Sequence, residues 1–240
     1  VHSQILPYSI LEDLSKKHNS YPFFIFLHMS SLKEEIPDET SWIYDLEKQL
    51  SSKSLYVGDK SLITNQKFLN QPKSRIGFYK NPAPDSFSHR ISPCNKELKN
   101  ILIVSNHPPI EIQEAKDILQ KQGYNVVSFG ENQENYTLIT NQIISSFDAI
   151  ITIGKTVNYC LVSGTPVYIY DRFGGDGWVL KKQNKQSGRE SNKKTSKEIV
   201  SEIVQDYQKA LNFVTDNQSY FQEEFLLKNV LSRTLKNINK

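Results

Sequence analysis

The residues with chemical potential in this 240-residue chain stand at the ends of apolar runs. Gly154-Lys155-Thr156 follows the run Ala149–Ile153. Free backbone N–H groups at a helix start there, with a lysine beside them, favour an anion such as a phosphate. A plainer reading, Thr156 capping the helix under a solvated lysine, stands beside it. The triplet is not a P-loop: G-x-x-x-x-G-K-[ST] needs glycine at 149, which holds Ala149, and the preceding residues form strand rather than cradle. Asn158 and Tyr159 continue the same segment. Ser105-Asn106-His107 follows Ile101–Val104, Gly130 follows Val126–Phe129, and Asp171 with Gly174-Gly175-Asp176-Gly177 follows Pro166–Tyr170. Such glycines let backbone close on a ligand, or simply turn tightly. His107, between Asn106 and two prolines, is either a working group on a stiff loop or a bystander. His28 ends the apolar run Phe23–Leu27 and reads as a catalytic group or as a satisfied core histidine. His2, His28 and His107 lack metal-ligand spacing, so no metal is expected. No carboxylate pair of glycosidase type stands out, which argues against hydrolysis.

Strand and helix patterns that alternate along the chain must hold these residues, which predicts α/β architecture with a mainly parallel sheet. Helices are expected over Ile10–Lys17, Asp38–Gln49 (Trp42, Ile43 and Leu46 inward), Ser61–Leu69, Glu111–Gln122, Thr140–Ser146 and Val157–Val162. Strands are expected at Phe23–Leu27, Ser54–Val57, Arg75–Tyr79, Ile101–Val104, Val126–Phe129, Ala149–Ile153 and Pro166–Tyr170. Residues 80–98 carry prolines and serines without periodicity and read as a linker. This divides the chain into residues 1–90 and 91–240. The tail from Ser196 to Lys236 reads as one or two helices with Ile199, Ile203, Tyr207 and Leu211 inward. In a parallel sheet of this kind, ligands bind beyond the carboxyl ends of the strands at the switch point, where the candidate residues lie.

Composition narrows the classes. A net charge of +3 is too small to argue for nucleic acid. No run approaches a membrane span, no signal peptide is visible, and Cys94 and Cys160 read as reduced thiols in a reducing, cytoplasmic setting. The basic stretch within 181–197 (Lys181, Lys182, Lys185, Arg189, Lys193, Lys194, Lys197) is either a solvated loop or a patch for an anionic membrane surface at the inner face. The chain opens on Val1-His2-Ser3 without methionine, so an earlier start is expected.

Taken together, these motifs resemble the GT-B glycosyltransferases, enzymes of two Rossmann-like lobes, in the group of bacterial surface-polysaccharide enzymes. Val162-Ser163-Gly164-Thr165-Pro166-Val167 matches the helix-end and strand signature, small-x-G-x-P-V. Phe147–Ile151 resembles the strand that announces the donor site. Lys80-Asn81-Pro82 resembles the crossover between lobes, and Val1-His2-Ser3 and Phe26-Leu27-His28 resemble first-lobe strands. The resemblance implies a Rossmann-like C-terminal lobe over 91–240, closed by returning helices, and a partial N-terminal lobe over 1–90 without its opening strands and glycine-rich loop. It implies transfer of a sugar from a nucleotide diphosphate sugar to a glycan, lipid-linked or protein acceptor, without metal or other cofactor. His28 would act from the acceptor side. Ser105, Asn106, His107, Gly130, Gly154, Lys155, Thr156, Asn158, Tyr159, Asp171, Gly174 and Gly175 would bind the donor. Beside that missing opening, a second departure matters: many retaining members carry a glutamate five residues before the glycine, where this chain has Tyr159, and another eight before that, for which the Gly154-Lys155-Thr156 turn leaves no room. A catalytically inactive binding or scaffold module of the same fold is therefore the alternative.

Overall fold

The computed structural model describes residues 8–16, 24–28, 44–92, 94–131, 133, 135–172, 174–182 and 193–238. The chain forms two compact units, 1–80 with 234–240, and 81–233.

Among the described residues of the first unit three parallel strands, β1 (Phe24–His28), β2 (Ser51–Tyr56) and β3 (Ile76–Phe78), lie in that order. Along β1, positions 24, 26 and 28 are buried while Leu27 is exposed, the two-residue alternation of a strand with one covered face. Among the described residues three helices accompany the sheet: α1 (Tyr8–Lys16), α2 (Tyr44–Leu50) and α3 (Asp59–Leu69). α3 opens with Asp59 at the positive end of its dipole and closes on Asn70 in the left-handed region, which Asn tolerates better than most residues. Leu46 is buried as its spacing requires. Trp42, Ile43 and the Val1-His2-Ser3 motif lie outside the described residues.

The second unit is a five-stranded sheet in the order β5-β4-β6-β7-β8. Its strands are β4 (Asn100–Val104), β5 (Asn125–Phe129), β6 (Ala149–Thr152), β7 (Val167–Asp171) and β8 (Gly174–Trp178). The first four are parallel and read as continuous apolar runs because helices cover both faces. One face packs α4 (Ile110–Lys121) and α7 (Ser196–Gln205) over Ile101, Ile103, Ile151 and Tyr168. The other packs α5 (Asn141–Ser145), α6 (Lys155–Ser163) and α9 (Gln218–Phe225) over Leu102, Ile150, Val167 and Ile169. The chain leaves β4 toward β5 and then returns to β6 on the other side of β4. The switch point therefore falls between the carboxyl ends of β4 and β6.

The structure differs from the sequence reading in three places. The glycine-rich stretch after Asp171 is not a loop but β8, an antiparallel edge strand that makes the sheet mixed. The tail forms four helices, α7, α8 (Tyr207–Asp216), α9 and α10 (Leu227–Ile238). And the proline-rich segment after Lys80 belongs to the second unit: Ala83 and Phe87 are buried in its core, and Ala83 exchanges backbone hydrogen bonds with Phe225 and Leu227. Arg90 fastens the same segment by donating to the carbonyls of Ser145 and Phe147, each at 3.0 Å, and to the Thr165 hydroxyl. The compact units thus divide at Lys80/Asn81, ahead of the expected 90/91. Both cysteines are free; burial pushes their thiols up, Cys94 to about 11.

Candidate functional site

α6 begins at the carboxyl end of β6, beside the switch point. Gly154, at φ 66°, turns the chain into the helix, and no side chain caps the first turn. Glycine offers no side-chain cap to the Lys155 and Thr156 N–H groups, the Val157 N–H donates to the Gly154 carbonyl at 3.2 Å, and the helix dipole adds positive potential there. The structure thus sets aside the reading of Thr156 as the cap. A cavity of about 900 Å³ opens at this point. Lys155, Thr156 and Tyr159 line it from α6, Pro84, Ser86 and Phe87 from the crossover segment, and Tyr136 to Gln142 from the stretch leading into α5. Lys155 is exposed, with Nζ 5.8 Å from the centroid of the Tyr159 ring, and Tyr159 stacks on Phe87 with centroids 4.4 Å apart. Tyr136 and Leu138 are 80% and 81% exposed, so the far wall presents apolar surface directly to solvent.

Lys155, Thr156 and Tyr159 are thus brought together at one cavity, and Gly154 turns the chain into the helix beside them without lining it. Asn158 does not line it either: it is fully buried, and its Nδ2 donates to the Asn81 carbonyl at 2.7 Å, holding the crossover segment against α6. Ser105, Asn106 and Gly130 form a second group at the ends of β4 and β5. Asn106 Oδ1 accepts from the Glu131 N–H at 3.1 Å, and Ser105 N–H donates to the Phe129 carbonyl. Gly130 is required there because a Cβ would strike the Ser105 carbonyl. His107 is exposed on the same loop. Asp171 is buried at the end of β7, and Gly174 pairs with it across the hairpin. A Cβ on Gly175 would strike the Ile169 carbonyl oxygen, so this glycine serves the close approach of β8 to β7.

His28 belongs to the first unit and is only 4% exposed. Its Nε2 lies 2.8 Å from Glu47 Oε1, and its ring stacks on Tyr56 with centroids 4.7 Å apart. Glu47 Oε1 also accepts from the Ser54 hydroxyl at 2.6 Å, while Oε2 is buried without a hydrogen bond among the described residues. Of the two readings of His28, this geometry is that of a satisfied core histidine.

Two groups carried no sequence signal of a role. Phe87 and the stretch Tyr136–Gln142 line the cavity, yet one sits in an aperiodic linker and the other runs from an unpatterned segment into the expected helix Thr140–Ser146. Asp148 is buried and accepts from Asn95, Lys99 and Asn100, so it anchors the start of β4 at the end of the sheet away from the site. In the basic stretch, Lys193 pairs with Glu111 at 2.8 Å and Lys194 with Glu202 at 2.6 Å, and Lys182 Nζ lies 4.7 Å from the Tyr220 ring centroid. Lys185 and Arg189 lie outside the described residues. Among the described residues no group of His, Cys, Asp or Glu assembles as a metal site, and no helix is long and apolar enough to cross a membrane.

No model of a known protein family matches the sequence, and no curated protein does. Solved structures do match in fold. Anabaena HepE, crystallised in complex with UDP, superposes at a TM-score of 0.61 with 11% identity, over 90% of this chain and 72% of its own. A variant of S. aureus TarM, crystallised with fondaparinux, α-GlcNAc-glycerol and UDP, gives 0.54 and 13%, over 93% of this chain and 52% of its own. A glycosyltransferase from Rickettsia africae gives 0.56 and 12%, over 89% and 70%. The chain therefore spans between about half and three-quarters of these proteins. At such identities the likeness is one of fold. The fold is the GT-B glycosyltransferase one: a Rossmann-like lobe with flanking helices and part of a second lobe.

Proposed function

We propose that the chain is the donor-binding portion of a glycosyltransferase, taking a nucleotide diphosphate sugar and serving transfer to a glycan, lipid-linked or protein acceptor. The observation that carries the proposal is the cavity at the uncapped start of α6, open to solvent beside Lys155. Uncapped N–H groups, a helix dipole and a lysine make the cavity mouth attractive to a diphosphate. The apolar wall at Tyr136 and Leu138 suits a ring. The UDP in two of the solved structures of this fold supports the same reading. The chain's own part is positioning and charge stabilisation of the departing diphosphate. Ser105, Asn106, His107 and Asp171, at neighbouring strand ends, are proposed to face the sugar and acceptor. His28 enters only as a structural support of its own unit. A cytoplasmic setting, with 181–197 touching an anionic membrane surface, belongs to the same proposal, although Lys193 and Lys194 are already paired.

A second reading is a binding module of the same fold without catalysis. It is favoured by Tyr159, which packs on Phe87 where the family resemblance implies a carboxylate. Thermal unfolding with UDP-, GDP- and ADP-sugars tests both readings for donor binding. A ligand at ten times its Kd adds about 1.4 kcal/mol, which raises Tm by roughly 3–6 °C for a chain of this length. A shift with one nucleotide series supports the donor site, and no shift with any overturns it. Transfer or slow hydrolysis of the bound donor then separates enzyme from binding module.

A further inference from the structure

We infer that Lys155 is the group that selects anionic ligands for the α6 cavity, and that Tyr159, braced by Phe87, is the positioning residue that holds it there. The inference rests on the donor-site reading above and adds to it how the charge is placed.

Among the described residues lining the cavity there is no Asp or Glu, and Lys155 is the one cation. The described lining thus offers a single charged side chain, and its charge is positive. Two lysines of this same unit are paired with a carboxylate, Lys193 with Glu111 and Lys194 with Glu202. Lys155 has no such carboxylate among the described residues. Its Nζ instead lies over the Tyr159 ring, four residues further along α6 and therefore on the same helix face. The ring is itself held: it stacks on Phe87, which is 3% exposed and sits in the core of the second unit. The order of support runs from the core through Phe87 to Tyr159 and then to the ammonium.

The chemical consequence follows from the sign of the partner. A carboxylate beside Lys155 would neutralise it and repel a phosphate. The face of an aromatic ring restricts the ammonium while leaving its charge uncancelled. Tyr159 thereby takes a role that a glutamate at the same position could not fill without lowering the cavity's affinity for an anion.

The test is a double-substitution cycle read by calorimetric titration of the full chain with the nucleoside diphosphate that it binds best, and with the uncharged nucleoside as control. Lys155→Met is expected to weaken diphosphate binding about tenfold and to leave nucleoside binding unchanged. Tyr159→Leu is expected to weaken diphosphate binding about threefold, and Tyr159→Phe to leave it intact, since the ring and not the hydroxyl does the holding. In the Lys155→Met background, Tyr159→Leu is expected to have no further effect on diphosphate binding. A direct readout in ligand-free protein is the NMR shift of the Lys155 Cε protons, displaced upfield by the ring and restored in Tyr159→Leu. Additive effects of the two substitutions, or a Lys155 signal that Tyr159→Leu does not move, overturn the inference while wild-type binding keeps the donor-site reading intact. Wild-type protein that binds no nucleoside diphosphate overturns both.

Discussion

Single residues in this chain divide into those whose surroundings fix them for packing and those left facing solvent at the cavity. His28 is of the first kind. With Glu47 on one side and the Tyr56 ring against its face, His28→Ala would strand a buried carboxylate. The expected cost is roughly 2–3 kcal/mol of stability, measured by chemical denaturation, with nucleotide binding unchanged. Gly175 is also of the first kind. Gly175→Ala forces a Cβ into the Ile169 carbonyl and is expected to cost about 2 kcal/mol or more, lowering Tm by at least several degrees. If Gly175→Ala leaves Tm unchanged and removes nucleotide binding, the glycine belongs to the site after all. Sequence reasoning separates these classes poorly. His28 and Asn158 are polar residues on apolar elements, and a sequence does not show which partner meets them. Lys155 and Tyr159 were legible because helix spacing and strand-end position place them without knowledge of distant contacts.

At the scale of elements, β4 to β7 and α4 to α6 were readable because each buries its apolar residues at the period of its own geometry. β8 was not. Gly174-Gly175-Asp176-Gly177 carries almost no side chains, so its strand character comes from pairing with β7, a tertiary fact. The crossover segment was likewise opaque, since Phe87 and Arg90 act through contacts with residues more than fifty positions away. The helical tail was legible as helix but not in its breaks at Asp206, Asn217 and Leu226. α7 has the clearest local code. The Thr195 hydroxyl accepts from the Glu198 N–H, and the Glu198 carboxylate accepts from the Thr195 N–H at 2.7 Å, a reciprocal cap. The hydrogen bond from the Thr195 backbone holds the Glu198 carboxyl below its ordinary value, helped by the Thr195 hydroxyl. A carboxyl lowered in the folded state adds stability above its unfolded pKa and loses it as pH falls through the folded value. Thr195→Ala is expected to cost about 1 kcal/mol at neutral pH. Glu198→Gln is expected to flatten the acid limb of the stability curve below about pH 4.5. An unchanged acid limb in Glu198→Gln contradicts this account of the cap.

For the molecule as a whole, the sequence supplied the α/β class and the Rossmann-like second unit, and the solved structures agree with it in fold at 11–13% identity. What neither supplies is the ligand, because fold alone does not decide function. The cavity does carry a claim of its own: its described lining comes wholly from the second unit, its one cation among the described residues is Lys155, and it opens beside the start of α6. Calorimetric titration of the chain with UDP, GDP and ADP, alongside their uncharged nucleosides, tests that claim most directly. The account expects saturable binding of at least one diphosphate, weakened about tenfold by Lys155→Met and far weaker for its nucleoside. Equal binding of diphosphate and nucleoside, or no binding of any diphosphate by folded protein, would contradict it.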